Sequence, residues 1–368
     1  MRTPEIAVLG LQQMFEDGKE VVVLDIRPQE QRAEWHIAGS VHQNVYAGLV
    51  SGDKTVFDDT TFDKDTPIVT VCAGGKTSLI AANLLNEKGY NALSLQGGMK
   101  AWNYAWNTAE IKDDNVTIVQ VRRVAKGCLS YIVGSEKEAI VVDASLDPDV
   151  YMELAKSYGW TIKFVMDTHI HADYISRSME LAEATGATQL FTENAGVDYD
   201  FVPLSDRQVV PFGAAELTAI FTPGHTAESI SYLVADTYLL TGDTLFTDGV
   251  GRPDLKADHE QGLKKAEQLF NSLGRILTLS KHDLFILPAH TSNTITFDGT
   301  IIGDSLSNLS KNIALLQLDK EAFIEQTMKR IPPTPPNYLQ IATLNKSGNY
   351  EGINPADLEA GANRCAVS

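Results

Sequence analysis

A chain of 368 residues is longer than one hydrophobic core usually organises, so two domains are expected, each large enough to bury a core of its own. Hydrophobic residues at 43% and charged residues at 21% place it among ordinary folded proteins. A formal net charge of -18, with no basic cluster to offset it, excludes nucleic acid as a partner. The amino-terminal stretch MRTPEIAVLG has no signal-peptide pattern, and no apolar run approaches the ~18 residues of a membrane span; a cytoplasmic protein that avoids membranes is the expectation. Three cysteines, Cys72, Cys128 and Cys365, are too few and too scattered for a disulfide framework or a thiolate metal cage, so any that matter act as free thiols.

In chain order, VVVLDI (21–26) and PIVTVC (67–72) have the pattern of buried strands, and LIAANLLNEKG (79–89) that of an amphipathic helix stopped by Gly89. Their alternation predicts a small parallel α/β domain over residues 1–110. The polar stretch Thr108 to Asn115 then separates it from new strands, with the boundary near residue 112. From 115 to 330 strands alternate with the helices PDVYMELAKSYG and RSMELAEATG, which predicts an α/β sandwich. After a helix near AFIEQTMKRI, the prolines of IPPTPPNYLQIATLN argue against regular helix. Residues 331–368 are therefore expected to form an ordered tail over the second domain, loose only at its end.

Between the second strand and its helix lies Val71-Cys72-Ala73-Gly74-Gly75-Lys76-Thr77-Ser78. Two glycines let the backbone curl so that several N–H groups face one point, and the helix adds its positive end; a thiolate, persulfide or oxyanion held there is stabilised. Gly75-Lys76-Thr77 copies the end of a phosphate loop, but the first glycine of that motif is replaced by Thr70, so the thiolate reading ranks above the nucleotide one. The first ~108 residues resemble a rhodanese domain: Leu24-Asp25-Ile26-Arg27 and Glu34-Trp35-His36-Ile37-Ala38-Gly39-Ser40 are similar to its opening motif, and Gly97-Gly98-Met99-Lys100-Ala101-Trp102 to its closing one. The resemblance implies that Cys72 carries sulfur as a persulfide and that Gly74, Gly75, Lys76, Thr77 and Ser78 cradle the substrate, with Asp25, Arg27 and His36 structural. Thr77 stands where that family commonly has arginine.

In the second domain, Thr168-His169-Ile170-His171-Ala172-Asp173 follows the apolar FVM, and a loop leaving a strand end there can present imidazole and carboxylate on one side, as Zn²⁺ or Fe²⁺ prefers. Pro223-Gly224-His225, Thr241-Gly242-Asp243 and Pro288-Ala289-His290 each follow a further apolar strand. One such histidine alone reads as a satisfied structural residue; the ordered series resembles the metallo-β-lactamase superfamily over roughly residues 115 to 300, which implies an αββα sandwich. His36, His42, His259 and His282 have no ligand context, and Cys128 reads as a buried strand residue. Tyr174 stands where the dinuclear hydrolases of that superfamily, such as glyoxalase II, have a histidine for a second metal, and a phenol with a pKa near ~10 is a poor substitute. The chain therefore resembles the persulfide dioxygenase branch. That resemblance implies one non-haem Fe²⁺ per chain rather than zinc, held by His169, His225 and Asp243, with His171, Asp173, Tyr174 and His290 around it or as alternative ligands.

Gly251-Arg252-Pro253-Asp254 resembles a turn of those dioxygenases, in which Arg252 pairs with Asp254 or meets a substrate carboxylate. The expected reaction converts glutathione persulfide, or a related small persulfide, and O₂ to sulfite, coupled to rhodanese transfer among thiols, sulfite and thiosulfate, in a homodimer or homotetramer. A glyoxalase II-like thioester hydrolase and a persulfide-sensing or sulfur-carrier protein are the alternatives.

Overall fold

The computed structural model describes residues 4–254, 259–335, 337–361 and 365–367. In the first unit the strands are β1 (Glu5–Ile6), β2 (Val22–Asp25), β3 (Val41–His42), β4 (Ile68–Val71) and β5 (Ala92–Leu95), in the spatial order β1-β5-β4-β2-β3. Every pairing is parallel. The helices α1 (Val8–Glu16), α2 (Gln29–Glu34), α3 (Tyr46–Ser51), α4 (Lys76–Glu87) and α5 (Gly98–Trp102) cover both faces, burying Leu24, Ile68 and Leu85 on one and Val23, Val69 and Trp102 on the other. Strands buried on both faces have no polar side to show, which is why β2 and β4 read as nearly continuous apolar runs, broken only by Asp25 and Thr70. Cys72 leaves the carboxyl end of the central β4, the edge of a parallel sheet where ligand sites gather.

The second unit begins at β6 (Trp106–Lys112), which pairs antiparallel with β7 (Thr117–Arg123) over its whole length, from Trp106 opposite Arg123 to Lys112 opposite Thr117. The polar run at 108 onwards, where the boundary is expected, is an edge strand of the second sheet; one side of its ladder faces solvent and Glu110 and Lys112 are tolerated. β8 (Leu129–Ser135), β9 (Glu138–Val142), α6 (Pro148–Tyr158), β10 (Thr161–Met166), α7 (Ser178–Thr185), β11 (Thr188–Thr192) and β12 (Val202–Leu204) complete a seven-stranded sheet ordered β12-β11-β10-β9-β8-β7-β6. A six-stranded sheet follows from β13 (Val209–Phe212), β14 (Ala215–Phe221), β15 (Ile230–Val234), β16 (Tyr238–Gly242), β18 (Phe285–Pro288) and β19 (Asp304–Ser305); β17 (Val250–Gly251) and α8 (His259–Leu277) intervene.

The facing surfaces bury Ile118, Tyr131, Met166, Leu217, Tyr232 and Leu287 between the sheets. The opposite faces pack α6 and α7 on one side, through Tyr151 and Leu181, and α8 on the other, through Leu269 and Leu273. The architecture is the expected αββα sandwich behind a parallel α/β domain, and α8, which the sequence reading passed over, closes its outer layer. Beyond α9 (Leu306–Asn312) and α10 (Lys320–Lys329) the tail forms α11 (Tyr338–Ser347), α12 (Pro355–Leu358) and β20 (Ala366–Val367). Regular helix was not expected here, yet the prolines of IPPTPPNYLQIATLN all precede α11, and Pro355 opens α12 at its first turn, where a missing N–H costs nothing. The loose end expected for the last residues is a strand at 366–367, paired with β17; residues 362–364 and 368 lie outside the described residues. Among the described residues no helix is long and apolar enough to cross a membrane.

One ion pair ties this tail down. Arg123 and Glu359 are both fully buried and 3.0 Å apart, and the second Glu359 oxygen accepts from Ile175 N at 2.9 Å. Removing one partner strands the other charge out of water, so Glu359→Ala is expected to destabilise the second unit by about 3–5 kcal/mol. Urea unfolding followed by tryptophan fluorescence checks this; a loss below about 1 kcal/mol would show that the tail contributes little.

Candidate metal centre and cysteine loop

The strand-end loops of the sandwich converge. His169 and His171 follow β10, His225 follows β14, Asp243 follows β16 and His290 follows β18, and all are 1–2% exposed. The loops meet closely at glycine: a Cβ on Gly242 would sit 2.6 Å from Thr168 Oγ1, and one on Gly251 only 1.9 Å from the Asp243 carbonyl oxygen and 3.0 Å from His225 Cβ. Gly251→Ala is therefore expected to displace the loop bearing Asp243 and to lower metal content well below that of the wild type, as elemental analysis would show. Full occupancy would mean that the loop relaxes freely.

His169, His225 and Asp243 form a mutually close set. Asp243 Oδ2 lies 3.7 Å from His169 Nε2 and 3.5 Å from His225 Nε2. The far ring nitrogens decide the tautomers. His225 Nδ1 faces the Arg252 carbonyl oxygen at 2.8 Å, which only accepts, so Nδ1 carries the proton and Nε2 a lone pair. His169 Nδ1 lies 2.9 Å from the Thr168 hydroxyl, which itself donates to Asp143 at 2.9 Å, so it too is protonated away from Asp243. Burial depresses both rings, helped for His169 by His171, and keeps them neutral. Burial alone would raise Asp243, but the His290 ring, charged and hydrogen-bonded to it, overrides this and holds the carboxyl well below its usual range.

Asp243 Oδ1 accepts from His290 Nδ1 at 2.5 Å, while Oδ2 is buried without a hydrogen-bond partner. Such an oxygen costs about 1–3 kcal/mol when nothing satisfies it. Two neutral imidazole lone pairs and one orphaned carboxylate oxygen fit a divalent metal, which His169, His225 and Asp243 would hold.

His171 turns elsewhere. Its Nε2 bonds Asp143 Oδ1 at 2.9 Å, its ring stacks on Tyr174 at 4.3 Å, and it groups with Asp143 and Asp167. Tyr174 reaches His171 Nε2 at 2.9 Å and the Asp143 carbonyl at 3.3 Å; burial and the Asp143 charge push its phenol far above the usual value, so it stays protonated. Asp173 lies beside His290, 3.1 Å from Nε2. Arg252 is buried, with its guanidinium on Asp254 at 2.7 Å and Thr334 at 2.7 Å, the first of the two pairings expected of its turn.

Beside the centre is a cavity of about 210 Å³ bounded by Ile170, Thr226 and Glu228 and by Tyr338, Leu339 and Lys346 of α11. The sequence reading missed Asp143, Cys128 and Cys365 here. An acid ending the apolar run EAIVVDA was a signal for Asp143, but nothing local marked the cysteines. Cys128 is placed by its bridge to His290, 162 residues on, and Cys365 by β20.

In the first unit the loop wraps the sulfur of Cys72, which is 3% exposed. Gly75 N and Ser78 N donate to Sγ at 3.2 and 3.3 Å, and Ser78 Oγ is 3.3 Å away. Gly75, at φ +88, caps α4. Gly98 backs the loop so tightly that its Cβ would lie 2.3 Å from the Cys72 carbonyl oxygen. Thr77 and Ser78 are buried, whereas Gly74 and Lys76 are exposed. Asp25 and Arg27 form a buried ion pair, joined by the half-buried Arg32, at the end of β2.

Two stacked sheets flanked by helices, with histidines and a carboxylate at the strand ends, define a metal-binding α/β sandwich, here preceded by a cysteine-loop α/β domain. The rhodanese-like domain family matches residues 9–105 and the metallo-beta-lactamase superfamily matches residues 123–191. A hydroxyacylglutathione hydrolase of Brucella ovis is 32% identical over 197 residues, half of this chain and 72% of that protein. A probable polyketide biosynthesis zinc-dependent hydrolase of Bacillus velezensis is 28% identical over 199 residues, 52% of this chain and 82% of that one. The structure of ETHE1 from Myxococcus xanthus superposes with a TM-score of 0.54 at 26% identity, covering 66% of this chain and 99% of that one. The chain belongs to the metallo-beta-lactamase superfamily and carries a rhodanese-like domain ahead of the sandwich.

Proposed function

We propose that the chain oxidises a small persulfide such as glutathione persulfide with O₂ and passes sulfane sulfur through Cys72. The observation that carries this reading is the set of His169 Nε2, His225 Nε2 and the orphaned Asp243 Oδ2, with Tyr174 in place of a further imidazole. An Fe²⁺ ion held by two imidazoles and one carboxylate supplies open positions for a persulfide sulfur and for dioxygen. The likeness to ETHE1 supports the same reading. The net reaction is RSSH + O₂ + H₂O → RSH + SO₃²⁻ + 2H⁺.

The protein's own part is positioning. The Arg252 carbonyl and the Thr168 hydroxyl fix the two rings, His290 holds the second Asp243 oxygen, and the neighbouring cavity takes the thiol carrier, with Lys346 at its wall. In the first unit, Cys72 attacks the outer sulfur of thiosulfate or a persulfide; the S–S bond breaks, the leaving group departs as sulfite or thiol, and the Cys72 persulfide anion forms where the Gly75 and Ser78 N–H groups point.

A second reading, thioester hydrolysis, draws on the named hydrolases among the relatives. Metal analysis of protein purified without oxygen separates them. About one iron per chain supports the oxygenase; zinc in the triad without iron supports the hydrolase.

A further inference from the structure

We propose that the cavity beside the triad selects a persulfide carried on a single amino acid, with the α-carboxylate on Lys346 and the α-ammonium on Glu228. The reaction it serves rests on the oxygenase reading above; the binding does not. The chain as a whole carries a net charge of -18, yet two of the three charged side chains on this wall, Lys265 and Lys346, are lysines. A carboxylate is drawn here by local charge, against the field of the rest of the molecule. Glu228 supplies the opposite sign. Its Oε1 accepts from Ile170 N at 3.1 Å, which fixes the side chain and leaves Oε2 for an ammonium.

Size decides between carriers. The cavity holds about 210 Å³, below the roughly 300–1,000 Å³ of sites that enclose a drug-sized ligand. An amino acid fits within it. A tripeptide does not, and its remainder would lie outside, past Leu339, which is 55% exposed at the rim. The wall cannot retreat to make room. Leu339 and Lys346 belong to α11, and Asn345 of the same helix is buried, donating to the His171 and Tyr174 carbonyls at 2.8 Å each and accepting from Ser176 N at 3.0 Å. Moving α11 outward would leave those buried groups unsatisfied. Neighbours in sequence thus divide the work: Asn345 registers the helix on the metal-binding loop, and Lys346 meets the carrier. Ile170 and Thr226, which also bound the cavity, adjoin His169 and His225 in the chain, so a short carrier anchored on α11 has its sulfur toward the triad.

The test is binding of unreactive thioethers to the full-length protein, purified without oxygen, by titration calorimetry. S-methylcysteine is expected to bind at least ~10-fold more tightly than S-methylglutathione, and than S-methylcysteamine, which lacks the carboxylate. Lys346→Ala should weaken S-methylcysteine by about tenfold or more and leave S-methylcysteamine unchanged, with Lys346→Arg restoring most of the loss. Glu228→Gln, which keeps an oxygen for Ile170 N, should weaken S-methylcysteine and leave 3-(methylthio)propionate, which lacks the ammonium, unchanged. In turnover, cysteine persulfide should show a lower KM than glutathione persulfide at similar kcat, and Lys346→Ala should raise that KM alone. S-methylglutathione bound as tightly as S-methylcysteine, or S-methylcysteine affinity unchanged in Lys346→Ala, overturns the proposal. The expected binding pattern without oxygen uptake from either persulfide would instead strike the oxygenase reading and leave the amino-acid site standing.

Discussion

The His225→Ala protein is expected to fold, to lose most of its triad metal and to lose turnover by more than the ~100-fold that removal of an outer-shell partner typically costs. His225 contributes its lone pair only because its other nitrogen is committed to the Arg252 carbonyl, and no other side chain of that loop can supply an imidazole in its place. The change removes a buried ring that sits 5.0 Å from that of His169, so the cavity it leaves has a cost of its own. Circular dichroism with elemental analysis separates the two effects. Native spectra with iron retained at the wild-type level would remove His225 from the ligand set.

Cys72→Ser is expected to abolish sulfur transfer from thiosulfate to an acceptor thiol while leaving metal content and sulfite formation from supplied persulfide near normal. The sulfur lies in another unit, on a loop closed by its own backbone N–H groups and by Ser78, and a hydroxyl in its place is not a nucleophile toward sulfane sulfur. Intact-mass measurement after incubation with a donor gives the direct test. The wild type should gain one sulfur atom that dithiothreitol removes, and Cys72→Ser should gain none. An adduct that survives the substitution would move the carrier role to another cysteine. No adduct in the wild type would leave the first unit a docking module, for which Thr77 in place of arginine would then be the cause to examine.

Both α/β architectures were legible because the information is local. The apolar run 67–72 announces a strand buried on both faces, FVM at 164–166 announces the buried end of another, and a polar residue directly after such a run marks the strand end. That is why His169, His225, Asp243 and His290 could be grouped before their distances were known. What escaped was set by pairing across long separations. β6 looks polar because it is an edge, and its partner β7 identifies it. Cys128 looked like a bland strand residue and Cys365 fell in the tail; the Cys128 bridge to His290 and the β17–β20 pair place their thiols at the centre. For Arg252 the motif allowed pairing with Asp254 or a substrate contact, and the guanidinium lies on Asp254 and Thr334.

The most direct test of the proposed chemistry is an oxygen-electrode trace of the anaerobically purified, iron-loaded protein with glutathione persulfide. The account predicts O₂ consumption matched one to one by sulfite, absent in His225→Ala and retained in Cys72→Ser. Persulfide loss at the same rate under nitrogen, with no O₂ uptake in air, would contradict it.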